Sequence, residues 1–141
     1  MFVESRDQSR QFFLTVWQKL AQGEALGPLE AVLAGVIRAH PEYDQVLAQG
    51  EAALARTFGP GETNPFLHMG LHVALIEQLQ SDRPAGIVGL YRQLVLQHAA
   101  DIHGLEHRII DCLAAVLWAA GNSGERPDEQ DFLTRVGRLL G

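Results

Sequence analysis

Proline constrains this chain more than any other residue. It lacks a backbone N–H and holds φ near −65°, so it breaks a helix interior but suits the first helical position. Five of the six prolines, Pro28, Pro41, Pro65, Pro84 and Pro127, stand at the head of segments with helical periodicity. They predict helices near 5–21, 28–39, 65–80, 84–98, 102–120 and 128–139, with a short helical piece from Pro41 to about Ala55. Asn64 precedes Pro65 as a strong N-cap, and Asp128 with Asp131 three residues on forms an acidic capping pattern. Pro60 lies between Gly59 and Gly61, which marks 59–63 as the flexible connection. Alternating strand patterns bounded by turn pairs are missing. The expectation is an all-α protein, a single compact bundle of about five to six helices, with residues 1–141 as one helical domain.

The chain has 141 residues, enough to bury a core without disulfides. Acidic residues outnumber Lys and Arg by 17 to 11, and Lys19 is the single lysine. This balance argues against nucleic acid as a partner, since that affinity comes from clustered basic side chains displacing counterions. The one cysteine, Cys112, allows no internal disulfide, which points to a reducing cytoplasm. No basic start followed by an apolar run marks a secretory signal. The longest apolar run, Cys112 to Ala120, is far short of the ~20 residues of a membrane span.

Six histidines stand outside the charge count. His68 and His72 lie four apart in one predicted helix, and His103 and His107 four apart in another, with Glu106 between them. Four residues advance a helix by just over one turn, so each pair shares a face and can converge on one metal ion. With His68 at 0°, His72 falls at about 40°, Leu79 at about 20°, Leu75 at about 340° and Leu71 at about 300°. Both histidines therefore point toward the core. With His103 at 0°, Ile110, Leu117, Leu113 and Ile109 fall at about 340°, 320°, 280° and 240°, and Glu106 at about 300° lies among them. A carboxylate there is costly to bury unless it is paired or bound to metal. The candidate metal ligands are His68, His72, His103, Glu106 and His107, and nitrogen-rich sets of this kind suit Zn, Fe, Ni or Cu. The competing reading satisfies the same histidines by hydrogen bonds to one another and to backbone carbonyls.

Weaker candidates surround these. His98 projects from the end of the helix that carries Ile87, Leu90, Tyr91 and Leu94. Glu77 lies at about 180° from His68, away from that pair. Asp101 reads as an N-cap, His40 as a cation or cap at a helix C-terminus, and Trp118 as core. On the first helix Phe12, Phe13, Val16, Trp17 and Leu20 share one side and read as core. Cys112 lies opposite His103 and lacks a histidine on its face, and no Gly-x-Ser-x-Gly elbow or phosphate loop is present.

Asn64-Pro-Phe-Leu-His-Met-Gly-Leu-His72, Glu77-Gln78, Asp82-Arg-Pro-Ala-Gly-Ile87, Glu106-His107 and Cys112-Leu113 with Trp118 resemble the bacterial family called domain of unknown function 1841. Ser5-Arg6 and Phe12-Phe13 fit as well, so the resemblance covers nearly the whole chain. It implies a compact helical domain and supplies no reaction. Members tend to carry an acidic residue between the Cys-Leu pair and the Trp, where this chain has Ala114 and Ala115.

Two functions follow from the residues. In the first, a divalent transition metal (Zn, Fe or Ni) sits in the core with Glu106 as a fifth ligand or general base, which permits metal-assisted hydrolysis or transfer. In the second, the chain is a non-enzymatic interaction module with a buried structural histidine network. A homodimer is compatible with both.

Overall fold

The computed structural model describes residues 6–141. The predicted helix start at residue 5, and the matching Ser5, lie outside them. The described residues form eight α-helices and no strand. The chain divides into two compact units, Met1–Ala74 and Leu75–Gly141, with the boundary inside one helix.

In the first unit, α1 (Arg6–Gln22) packs against α2 (Pro28–Arg38). Phe13, Leu14 and Val16 of α1 and Leu33, Ala34, Val36 and Ile37 of α2 are buried, while Trp17 is only half-buried. Pro28 opens α2 as expected. Glu30, three residues past the Gly27 cap, accepts the Gly27 N–H at 2.8 Å and pairs with Lys19 of α1 at 2.7 Å. Those two contacts hold the Glu30 carboxyl below its ordinary range, the Gly27 N–H contributing more. A 3-10 turn (Pro41–Tyr43), α3 (Asp44–Ala48) and α4 (Glu51–Leu54) follow.

These last two helices correct the expected count of five to six. The stretch read as one helical piece is broken at Gly50, whose φ of +64° only glycine adopts without strain. The carbonyls around the end of α4 are collected by a buried side chain. Arg10 Nη1 donates to the carbonyls of Ala53 and Leu54, both at 3.2 Å, and of Arg56 at 2.6 Å. Its guanidinium also lies over the rings of Phe58 and Phe66, at 5.6 and 5.0 Å. A cation is favoured where orphan carbonyls gather at a helix C-terminus. Arg10 thereby ties α1 to α4 and to the first turn of α5 (Pro65–Ser81).

In the second unit, α6 (Ile87–Gln97), α7 (Ile102–Ser123) and α8 (Glu129–Gly137) pack on one another. Ile87, Leu94, Leu105, Ile109, Ile110, Leu113, Phe132 and Val136 form their shared core. Pro84 does not open α6. The helix begins three residues later, after Gly86 at φ +99°, because the Asp82 carboxylate reaches forward to the N–H groups of Gly86 and Val88. Asp101 and Asp128 cap α7 and α8 as expected, accepting from Gly104 N–H at 2.9 Å and Asp131 N–H at 3.0 Å. α7 runs past Ala120 to Gly124, whose left-handed φ of +74° ends it. Trp118 is 74% exposed rather than core, since at about 60° on the wheel of α7 it lies opposite the buried arc. Among the described residues no helix is long and apolar enough to cross a membrane.

Candidate metal centre

The first unit brings three imidazoles together. Two come from the predicted pair on α5. Asn64 Oδ1 accepts the N–H groups of Phe66 and Leu67, at 3.1 and 3.2 Å, and so sets the start of that helix. His68 and His72 then lie one turn apart and meet edge to face, with ring centroids separated by 4.8 Å and Nε2 atoms by 3.1 Å. His72 is buried and His68 half-buried.

The third is His40, which the sequence marks only as a cation or cap at a helix C-terminus. It is a cap, because its Nδ1 donates to the Val36 carbonyl at 2.8 Å in the last turn of α2. Pro41 disfavours the α conformation for the residue before it, and His40 leaves the helix at φ −128°. Its ring folds back over α2 and is 1% exposed. There it meets His72 and His68 edge-on, with centroids 4.5 and 5.0 Å away. In the neutral imidazole this bond puts the proton on Nδ1 and the lone pair on Nε2. That is how metal-binding histidines are commonly oriented.

The ligand atoms of His40, His68 and His72 lie within 4.8 Å of one another. Two nitrogens bound tetrahedrally at about 2.05 Å from zinc stand about 3.3 Å apart. The 3.1 Å between the Nε2 atoms of His68 and His72 is already close to that. Tyr43 covers the group from the 3-10 turn. Its ring is parallel to His40 at 5.5 Å and edge-on to His68 at 6.0 Å. Burial, and secondarily Glu42, pushes its phenol above the ordinary range, so it is neutral at pH 7.

The second predicted set lies in the second unit. The rings of His103 and His107 lie tilted to each other with centroids 4.2 Å apart on α7. His103 is exposed and His107 half-buried. The buried arc of α7 centres on Ile109 and Leu113, which leaves His103 at its edge. Glu106 is half-buried, and burial raises its carboxyl above the ordinary range against a smaller opposing pull from His103. Tyr91 of α6 is raised by burial and secondarily by the Glu106 charge, so the two face each other closely enough to interact. His98 donates from Nε2 to the Leu139 carbonyl at 3.3 Å and so fastens the C-terminal segment. Glu77 is half-buried on the last turns of α5. Burial also raises the Cys112 thiol, with Arg135 opposing, so it stays protonated and poorly nucleophilic.

Converging imidazoles of this kind can hold a metal ion. The chain belongs to the family described as domain of unknown function 1841, whose model matches residues 5–138. No curated protein and no solved structure matches it.

Proposed function

We propose that this protein binds a divalent transition metal, Zn, Fe or Ni, through His40, His68 and His72. The observation that carries this is the convergence of their three ligand nitrogens within 4.8 Å, with the His40 tautomer set by Val36. Imidazole nitrogens suit borderline metals, and where a coordination position stays open the ion lowers the pKa of bound water toward ~7. Metal-dependent hydrolysis or group transfer is the chemistry such a centre supports. In the second unit, Glu106 is the candidate general acid–base group, because burial raises its carboxyl above the ordinary range and so favours a proton it can donate. His103 and His107, beside it on α7, are proposed as further metal ligands. We also place the protein in the bacterial cytoplasm, on its single cysteine and its family resemblance.

Elemental analysis of untagged protein tests the metal directly. About one equivalent is expected after growth with added Zn, Fe and Ni, and less than about a tenth would sink the proposal. Metal and protons compete for the same lone pairs, so the retained metal should fall on acidification.

The 3.1 Å contact between His68 Nε2 and His72 Nε2 favours a second reading. As a hydrogen bond it makes the cluster a structural polar network in a non-enzymatic interaction module. That reading predicts thermal unfolding that is indifferent to chelator. Pairing of two copies is compatible with both readings, and light scattering measures it.

A further inference from the structure

A cleft of about 360 Å³ opens in the first unit between α1 and the end of α2. Trp17 and Leu20 of α1 and Ile37 and Pro41 form its apolar wall, and Arg38 and Asp44 its charged part. None of the three clustered histidines lines it. Ile37 is buried beneath, while Arg38 and Pro41 are exposed at the mouth. Arg38 and Asp44 form no ion pair with each other, and among the described residues neither side chain has a hydrogen-bond or ion-pair partner. Two opposite charges thus stand on one concave wall, each with its bonding capacity directed to no neighbour.

We propose that this cleft binds a small aliphatic zwitterion of the α-amino-acid type. Guanidinium groups bind carboxylates through paired N–H donors, and a carboxylate accepts from an ammonium group. A ligand carrying both groups at one end satisfies Arg38 and Asp44 together. Its aliphatic side chain lies against Trp17, Leu20 and Pro41, where burial of apolar surface adds affinity. The volume sits at the low end of small-molecule pockets, which selects an amino acid over a nucleotide or a longer peptide. A ligand with only one of the two charges makes only one of the two charge-assisted contacts, and that difference is the origin of the expected selectivity. The inference is separate from the metal proposal, and its test is run in chelator so that the two fail independently.

The chain has two tryptophans, Trp17 and Trp118. Trp118 is exposed, so Trp118→Phe leaves Trp17 as the reporter inside the cleft with little change to packing. L-leucine titrated into this variant should change Trp17 fluorescence saturably, with a midpoint roughly at or below millimolar for so small a ligand. Isovalerate, which lacks the ammonium, and isoamylamine, which lacks the carboxylate, should each bind about tenfold more weakly or worse. Arg38→Gln and Asp44→Asn in the same background should each weaken L-leucine by a similar factor, with circular dichroism unchanged. Absence of a saturable change up to about 50 mM, far above the expected midpoint, overturns the proposal. So does equal binding of either single-charge analogue, or an unchanged midpoint in either variant.

Discussion

Replacing His40 with Ala separates a metal ligand from a buried cap. In chelator, the substitution removes the bond to the Val36 carbonyl and leaves a cavity beside His68 and His72. Together these cost about 2–4 kcal/mol whichever reading holds. The informative quantity is therefore the metal-induced shift within each protein, in which that cost cancels. Free zinc at 100 times Kd stabilises the native protein by about 2.7 kcal/mol. For a chain of this length, that raises Tm by about 8–10 °C. Loss of one of three ligands should weaken binding at least as much as loss of a supporting contact, about 10–100-fold. At the same zinc concentration the stabilisation then falls to about 1.4 kcal/mol for a tenfold loss, or about 0.4 for a hundredfold loss. The corresponding Tm shifts are about 5 °C and about 1–2 °C. His98→Ala is the control. It loses the Leu139 contact but should keep the full zinc shift. Differential scanning fluorimetry with and without zinc reads all three proteins. An equal shift in native protein and His40→Ala would refute the assignment of His40 as a ligand, and no shift in either would refute the site.

Other outcomes follow from single contacts. Arg10→Ala strands the carbonyls of Ala53, Leu54 and Arg56 and should lower stability by about 3 kcal/mol in urea titrations, with Arg10→Lys recovering only part because an ammonium lacks the planar fork. Glu106 has a raised native pKa, so the folded state holds its proton more tightly than the unfolded chain. The contribution is therefore full below the ordinary 4.5 and is lost as pH rises through the native value. Glu106→Gln should flatten that slope and leave the variant the more stable above it, as thermal melts across pH will show. Cys112 should react with a maleimide at least about tenfold more slowly than a free thiol until the protein is denatured, a rate that absorbance follows directly.

Helix existence was readable from proline and cap chemistry because those signals are local. Pro28 and Pro65 open helices, and Asn64, Asp101 and Asp128 cap them as their side chains dictate. The misplaced start of α6 shows where local reasoning ends. Pro84 fits a first helical position, but Asp82 offers its carboxylate to Gly86 and Val88, and a left-handed glycine displaces the start. The break at Gly50 was hidden for a similar reason. Glycine inside an apolar pattern is tolerated at modest cost, so its presence alone does not announce a positive φ.

The site shows the same division. The wheel placed His68 and His72 well because the buried residues of α5 extend from Leu71 at about 300° through Leu75 to Val73 at about 140°, an arc whose middle is near His72. It overstated His103 because four apolar residues near Glu106 do not fix where an arc ends, and Leu105 and Val116 draw the buried centre of α7 away from it. His40 was missed because the predicted helix stopped at residue 39. Yet Leu33, Val36, Ile37 and His40 follow the spacing of one helical face, i, i+3, i+4 and i+7, and all four are buried. The signal was present one residue beyond the helix end, where Pro41 turns the backbone and the ring still reaches back to Val36. A face traced past the last helical turn would therefore have added the third nitrogen, and this third nitrogen is what the proposed metal centre adds to the α5 pair.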